Sequence, residues 1–365
     1  MIKRHISNIF GKTCKRRLLA FFVDDYGAIV NTNLDHQLAF ISSGGILGNG
    51  RFSRFDALET NDDMEALFDV LTSFKDINGN NVAWTPLSVC ANPDFEKIIT
   101  NRYETYHYMT LDKTYNESVN SNKVLSIIRE GIREGFYLPQ YHGREHINVE
   151  VLMNALKSGN RNVRLAFQNG LLYPFLGNDG VVWSNQAFRI VSDLDTPRYI
   201  SIIKDGVNCF EYVYGYRPIH FNAPGDRENS NMAAVMAAEG IRFIETDKFK
   251  NEYLGNGKWK KELHWNGEIN RYNQRLIIRN CVFEPGADNS DWANYAFKQV
   301  QIAFKWNKPA IISTHRVNYV GAVSEENRSR GLKELKKLIS LVQQAYPDVE
   351  FVTSKTLFEI LYAER

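Results

Sequence analysis

The chain has 365 residues, of which 44% are hydrophobic and 24% charged, and its formal net charge is +2. These values are typical of a soluble globular protein, and the near-neutral charge gives no case for nucleic acid as a partner. The length suits one large domain or two ordinary ones. Aromatic residues make up 13% of the chain, which is compatible with a carbohydrate-binding cleft, although aromatic cores are commoner.

Residues 1–17 form a basic N-terminal tail, and the apolar run "LLAFFV" follows it before two aspartates. The run is shorter than the apolar core of a signal peptide and far shorter than a membrane span. We therefore expect a cytoplasmic protein without a transmembrane segment. The tail is either solvated, which is the favoured interpretation, or makes weak contact with an anionic membrane surface.

The four cysteines lie far apart in the sequence and form no CxxC pair. This spacing favours reduced thiols over a disulfide framework or a structural zinc site. The four are Cys14, Cys90, Cys209 and Cys281.

Short apolar runs alternate with helix-patterned stretches from residue 18 onward. The runs "LLAFFV", "NVAWTPLSV", "IRFIET", "PAIIST" and "VEFVTS" predict strands. Helices are predicted in "DDMEALFDVLTSF", "NKVLSIIREGIREG", "EVLMNALKSG", "NMAAVMAAEG", "DWANYAFKQVQIAFKW", "RGLKELKKLISLVQQAY" and "KTLFEILYAE". The alternation implies a largely parallel sheet or barrel, here as one domain over residues 18–365. Two stretches without this pattern, near 101–122 and 248–280, are expected to be insertions.

In folds of this kind the reactive groups lie where strands end. Asp24 and Asp25 follow the first predicted strand directly. Two adjacent carboxylates repel each other unless water, a cation or a basic neighbour offsets their charge. Alone, such a pair is more typical of a solvated turn or a helix cap.

Two histidines, His142 and His146, stand four residues apart in "YHGREHIN". This spacing lets both imidazoles face the same way, over one helical turn or across a tight loop at Gly143. Two imidazoles and one carboxylate would make a three-ligand site for Zn²⁺ or a similar divalent ion. Because Glu145 is not next to the first histidine, the motif differs from the HExxH helix of metalloproteases.

A further histidine, His315, follows the apolar strand "PAIIST" immediately. A lone histidine in that place is more often a polar strand end. After an aspartate pair and an HxxxH motif, however, it is a third strand-end group that could carry chemistry.

Together these motifs resemble those of the polysaccharide deacetylase superfamily, carbohydrate esterase family 4. The corresponding stretches are "FFVDDYG", "HGREH", "FNAPGD", "DNSDW" and "IISTH", of which the third and fourth are looser matches. The resemblance spans about Leu18 to the C-terminus. It implies an α/β fold, a distorted (β/α) barrel of the polysaccharide deacetylase type with loop insertions.

The resemblance also implies a role for each motif residue. Asp24 would be the general base, and Asp25, His142 and His146 would be the ligands of a divalent metal. Zn²⁺ is the first expectation for that metal, with Co²⁺, Ni²⁺ or Mn²⁺ as alternatives. His315 would act as the general acid that protonates the leaving group.

Two positions depart from the family pattern. Asn222 in "FNAPGD" stands where the family has Arg, and it cannot pair with a carboxylate as a cation. Arg144 or Arg316, each beside a histidine of the motifs, would supply the charge instead. Gly225 stands where the family usually has Tyr, and a backbone N–H near it would stabilise the oxyanion.

The stretch "DNSDW" opens a predicted helix. Asp288 or Asp291 would be either the N-cap of that helix or a support for catalysis. Trp292 would be either a sugar platform or part of the core.

The expected function is removal of acetyl groups from an acetylated sugar or polysaccharide, by an N- or O-deacetylase. A glycoside hydrolase on a related barrel is a weaker alternative, because its two carboxyls must face each other across the substrate. A non-catalytic carbohydrate-binding protein is a third alternative, and the substitution at Asn222 is the reason to consider it.

Overall fold

The computed structural model of the chain describes residue 5 and residues 8–172, 176–177, 180–181, 185–190, 192–225 and 229–362. Part of the predicted tail, residues 1–4 and 6–7, lies outside these ranges, as do residues 363–365, which include the last two residues of the last predicted helix. Within them the strands are β1 (Arg17–Tyr26), β2 (Trp84–Ser88), β3 (Ala91–Pro93), β4 (Tyr108–Thr110), β5 (Gln140–Tyr141), β6 (Leu176–Gly177), β7 (Gly180–Val181), β8 (His220–Phe221), β9 (Phe243–Glu245), β10 (Phe249–Gly255), β11 (Lys258–Leu263), β12 (Arg275–Ile277), β13 (Cys281–Val282), β14 (Ala310–His315) and β15 (Val349–Phe351).

The helices lie between these strands, and many follow the predicted pattern. They are Leu34–Ser42, Arg51–Phe55, Asn61–Thr72, Phe95–Thr100, Leu111–Glu117, Val124–Arg133, Val149–Lys157, Arg161–Gln168, Asp195–Tyr214, Ala233–Ala238, Trp292–Lys305, Glu325–Ala345 and Ser354–Tyr362. Short 3₁₀ turns lie at Ser230–Met232 and Arg316–Asn318.

One nine-stranded sheet organises the molecule. Its order is β12–β9–β8–β5–β2–β1–β14–β13, and β15 pairs with the start of β1. All of these pairings are parallel. The two strands at the ends of this order, β12 and β13, are separated by only residues 278–280. The predicted distorted (β/α) barrel is therefore confirmed, and the carboxyl ends of its strands share one rim.

The strand β1 lies in the middle of the sheet order and carries the aspartate pair. All of its residues after Arg17 are buried, as expected of a parallel strand covered on both faces. It pairs with β14 in continuous register, from Leu19 opposite Ala310 to Asp24 opposite His315. Backbone pairing therefore brings two of the predicted functional residues side by side at the rim.

Two small antiparallel hairpins outside the main sheet involve the stretches expected to be insertions. β3, which precedes the first stretch, pairs with β4 inside it, and β4 leads into helix Leu111–Glu117. β10 pairs with β11 in the second stretch, and the later strand β12 rejoins the main sheet. The domain boundaries stay a prediction.

Helix Asp195–Tyr214, 20 residues long, is not among the predicted elements. Its sequence mixes β-branched and aromatic residues with a glycine, which weakens the helical signal. Packing explains the glycine: a Cβ on Gly206 would lie 2.0 Å from the Tyr141 hydroxyl oxygen. The residue that obscures the helix in the sequence thus lets the helix lie against β5.

A second close approach involves Gly331 in helix Glu325–Ala345. A Cβ at this position would lie 1.7 Å from the backbone oxygen of Asn318. Asn318 belongs to the 3₁₀ turn that follows β14. Glycine in the helix therefore allows the turn behind His315 to pack tightly.

All four cysteines are free thiols. In the part of the chain that the structure describes, no helix combines the length and the apolar character needed to cross a membrane.

Candidate active site

The carboxyl end of β1 has an irregular backbone that separates the two aspartates. The pairing of β1 with β2 shifts register between Val23 and Tyr26. Asp25 adopts φ = 79°, in the left-handed region that residues other than glycine rarely enter. The two carboxylates thereby contact different partners, although they are neighbours in sequence. Strained backbone of this kind is concentrated at functional sites.

Asp25, His142 and His146 form a three-residue cluster whose ligand atoms all lie within 4.8 Å of one another. The Asp25 Oδ1 atom is 3.4 Å from His142 Nε2 and 2.8 Å from His146 Nε2. These three side chains come from β1 and from the segment after β5. The structure thus brings together the three residues predicted to be metal ligands.

A backbone carbonyl fixes the tautomer of His142. Its Nδ1 is 2.9 Å from the carbonyl oxygen of Asn222, and a carbonyl can only accept, so Nδ1 carries the hydrogen. The Nε2 lone pair then points toward Asp25, and this buried nitrogen has no hydrogen-bond partner among the described residues. A divalent cation fits such an atom, because metal-binding histidines are oriented in this way by a partner on the other nitrogen.

Arg279 supplies the cation that Asn222 cannot. Its Nη1 and Nη2 donate to both carboxylate oxygens of Asp24, at 2.8 and 2.5 Å. Its Nε donates to Glu245 at the end of β9. Glu245 in turn lies 2.9 Å from Nε2 of His220. Arg279 therefore bridges two buried carboxylates from separate strands.

The expectation that Arg144 supplies this charge is wrong. Arg144 Nε donates to Glu145 Oε1 at 2.7 Å, and its Nη1 donates to Asp205 at 2.7 Å. Tyr106 also donates to Glu145, at 2.8 Å. These bonds tie the loop between the two histidines to helix Asp195–Tyr214, so Arg144 holds the loop in place.

The expectation for Arg316 is wrong for a similar reason. Its fully buried guanidinium contacts Asp56 at 3.0 Å and Glu59 at 2.7 Å. Glu59 also accepts from the backbone N–H of Gly27 at 2.9 Å. Arg316 therefore anchors the turn that follows β1 rather than the side chain of Asp24.

His315 lies between two carboxylates at the rim. Its Nδ1 is 2.6 Å from Glu284 Oε1, and its Nε2 is 3.6 Å from Asp24 Oδ2. Glu284 is itself held by Arg51 at 2.7 Å and by Asn318 at 2.8 Å. Burial lowers the pKa of His315, but the charge and hydrogen bond of Glu284 outweigh it and raise the pKa to about 10.

The environments of the two aspartates move their pKa values in opposite directions. Burial raises the pKa of Asp24, and Arg279 offsets this effect only in part. Burial raises the pKa of Asp25 too, but the charge of His146 and its hydrogen bond to the carboxylate hold that pKa well below the ordinary value. Paired carboxyls with diverging pKa values are typical of sites that use one as a base and the other as a permanent anion.

Asn222 and Gly225 lie on the segment that follows β8. The side chain of Asn222 is buried and donates to Glu245 at 3.2 Å. Gly225 has φ = 70°, and a Cβ there would lie 2.8 Å from the side chain of Gln186. The suggested oxyanion contact near Gly225 stays a prediction.

The residues of "DNSDW" form the start of a helix. Asp291 is the N-cap of helix Trp292–Lys305, accepts from the Asn294 N–H at 3.1 Å and contacts Lys337 at 2.8 Å. Asp288 accepts from the Trp292 indole at 3.0 Å. Both aspartates are exposed, which supports the N-cap alternative for this stretch.

Three residues of the site were not predicted from the sequence: Glu245, Arg279 and Glu284. Each follows a short apolar run, in "RFIET", "RLIIRN" and "CVFEPG". Like Asp24 and His315, they are polar groups at the ends of buried strands. Glu284 contacts His315 directly.

No protein-family model matches the chain, and no curated protein matches it. Among solved structures, the chain is similar to a Mycobacterium smegmatis protein assigned as a polysaccharide deacetylase, with 15% identity, a TM-score of 0.43 and coverage of 97% of this chain and 92% of the other. It is similar to a family 4 carbohydrate esterase from Streptomyces lividans, with 11% identity, a TM-score of 0.36 and 92% coverage of both chains. A GH57-type branching enzyme from Pyrococcus horikoshii has 9% identity and a TM-score of 0.47, with coverage of 96% and 71%.

Removal of Arg279 should destabilise the fold strongly. In Arg279→Ala the buried carboxylates of Asp24 and Glu245 lose their shared cation, which costs about 3–5 kcal/mol of unfolding free energy. Urea denaturation measures this loss. Arg17→Ala, which removes an exposed ion pair with Asp348, is the matched control and should cost less than about 1 kcal/mol. Equal losses in the two variants would contradict the assignment.

Proposed function

We propose that this chain is a metal-dependent hydrolase that removes acetyl groups from an acetylated sugar or polysaccharide. One observation carries the proposal: the Asp25–His142–His146 cluster lies at the same rim as Asp24 and His315. A cluster of residues that can bind a divalent cation, next to a general base and a general acid, provides the groups that hydrolysis of an amide or ester requires.

The balance of buried charge supports a cation at the cluster. Seven carboxylates in and around the site are more than nine-tenths buried: Asp24, Asp25, Asp56, Glu59, Glu145, Glu245 and Glu284. Four guanidinium groups contact them, from Arg51, Arg144, Arg279 and Arg316. Buried anions without counter-charges are costly. A divalent cation and a protonated His315 would together offset the excess of three negative charges.

The metal would be held by Asp25, His142 and His146, and Zn²⁺ suits this ligand set best, with Co²⁺, Ni²⁺ or Mn²⁺ as alternatives. When bound, such an ion polarises the acetyl carbonyl and lowers the pKa of a water molecule.

The remaining chemistry belongs to side chains. Asp24 accepts the proton of the attacking water, while Arg279 keeps its carboxylate in place through two hydrogen bonds. His315 donates the proton of Nε2 to the departing nitrogen or oxygen, and Glu284 holds the ring by Nδ1. The backbone N–H near Gly225 would face the developing oxyanion.

The alternative of a non-catalytic binding protein loses its main support, because Arg279 contacts the carboxylate that the family Arg would contact. The glycoside hydrolase alternative requires two carboxyls that face each other across the substrate. Asp24 is instead paired with Arg279, and Asp25 with two histidines.

The purified chain should bind one divalent ion, and His142→Ala should abolish that binding, because it removes the ligand atom that has no other partner. To measure binding, the protein is dialysed against buffer that contains Zn²⁺ and washed with metal-free buffer, and its metal content is then determined. His264→Ala removes a histidine outside the cluster and should leave the metal content unchanged. A His142→Ala protein that retains a full equivalent of metal would refute the site.

Acetate should be released from N- or O-acetylated saccharides, and Asp24→Asn should lower the rate about 100-fold or more, because the general base is lost. Enzymatic detection of acetate across a panel of both ester and amide substrates is the measurement. The exposed-site variant Asp348→Asn is the control. Acetate release by Asp24→Asn at the unchanged rate would rule out this base.

Glu284→Gln should move the alkaline limit of activity to lower pH. The charge of Glu284 helps to keep the pKa of His315 at about 10, so the acid stays protonated well above neutral pH. Without that charge the pKa falls, and the protonated acid is lost as the pH rises through the lower value. A pH profile of kcat tests this, and an alkaline limb that does not move would contradict the role of His315 as the acid.

A further inference from the structure

The hairpin β10–β11 exposes an unusual amount of apolar surface. Phe249 is 75% exposed, Leu254 58%, Trp259 55% and Leu263 52%. Phe249 pairs directly with Leu263 across the two strands, and Trp259 pairs with Tyr253. Large side chains exposed together on one element mark an interaction site more often than chance solvent exposure does.

The same hairpin is basic on its outer surface. Lys258, Lys260 and Lys261 follow one another around Trp259 and are all exposed. Of the two glutamates in the hairpin, Glu252 is buried against Lys250 and Ser230. Only Glu262, beside Lys260 at 3.1 Å, offsets the exposed positive charge within the hairpin. Along β11, Trp259, Lys261 and Leu263 share one face of the strand, so that face combines apolar side chains with a cation, while Lys258 and Lys260 lie on the other face.

The N-terminal segment packs against the loop that follows β11. The backbone of Gly11 packs against Asn266, because a Cβ there would lie 2.5 Å from the Asn266 oxygen. Phe10, beside it, is 61% exposed. Lys12 and Trp265 line one cavity of about 330 Å³ together with Gly11 and Asn266. Two segments far apart in sequence thus present exposed apolar and basic side chains next to each other.

From these observations we propose that the hairpin β10–β11 binds the surface of an anionic lipid bilayer. Tryptophan and phenylalanine insert at the boundary between headgroups and acyl chains, and lysine heads bind anionic headgroups while their stems stay in apolar surroundings. Each lysine near an anionic surface adds to the attraction, and the attraction is screened by salt.

Two other occupants fit the surface less well. A soluble polyanion would use the lysines but would leave the side chains of Leu254 and Leu263 in water. A second copy of the chain would bring the lysine cluster of one hairpin against that of another, and like charges facing each other are unfavourable. A bilayer meets the apolar and the basic requirement at once.

The experiment is co-sedimentation of the full chain with vesicles of phosphatidylcholine alone and with vesicles of equal parts phosphatidylcholine and phosphatidylglycerol. We expect binding only to the anionic vesicles, falling as NaCl is raised. The charge variant Lys258→Glu/Lys260→Glu/Lys261→Glu should weaken binding by at least about tenfold. The matched control Lys298→Glu/Lys333→Glu/Lys336→Glu makes the same change in net charge on two helices outside the hairpin and should retain most of the binding.

The apolar contribution is tested by Phe249→Ala/Trp259→Ala/Leu263→Ala, which should also weaken vesicle binding at least about tenfold. Leu38→Ala/Val119→Ala/Tyr212→Ala removes comparably exposed side chains elsewhere and is its control. If the triple variant does not fold, the single variant Trp259→Ala replaces it, and tryptophan fluorescence on vesicle addition shows whether the blue shift is lost.

Several results would overturn the proposal. Equal binding to both kinds of vesicle, or equal losses in the hairpin variants and their controls, would remove the case for this surface. Binding to dextran sulfate that depends on the lysines alone would identify a polyanion site. A dimer in light scattering that the apolar variant dissociates would identify a self-association surface. None of these measurements depends on acetate release, so the outcome is separate from that of the proposed activity.

Discussion

The contact on which the candidate site depends is the bridge from Arg279 to the carboxylates of Asp24 and Glu245. These two acids lie at the ends of strands that are separated by three others in the sheet order, so the guanidinium joins two strands that are not neighbours. Each carboxylate would be costly to bury alone, and a planar, permanently charged group with several donors can satisfy both at once. The gap between β12 and β13, where the sheet order ends, is the place from which such a side chain can reach inward.

The other charged groups at the rim are also paired with side chains of opposite charge. Arg316 neutralises Asp56 and Glu59 beneath the turn after β1, and Glu284 holds His315 from the far side. Because every one of these groups is fixed by a second one, the reactive atoms are positioned before any substrate arrives. The two adjacent aspartates acquire different properties through their neighbours: one faces a guanidinium and the other faces two imidazoles.

The sequence predicted those functional residues whose pattern lies within a single element. The buried run before Asp24 and Asp25, the spacing of His142 and His146 and the apolar strand before His315 each lie within a few residues. Arg279 and Glu284 follow strands of three and two residues, which are too short to show a period. Their partners lie in other strands, so only the folded sheet reveals them. Helix Asp195–Tyr214 was not predicted because Gly206 lowers its helical propensity. The reason for this glycine, the close contact with Tyr141, is visible only in the folded chain.

The bridge made by Arg279 also has a consequence for biosynthesis. Asp24 and Arg279 are 255 residues apart, so at about 5–20 residues per second the aspartate leaves the ribosome many seconds before its partner exists. Until then, packing β1 into a finished barrel would enclose an unneutralised anion. The early strands must therefore stay loosely assembled and hydrated, and the barrel can close only when its last third has been translated. The same contact that secures the mature protein delays its completion.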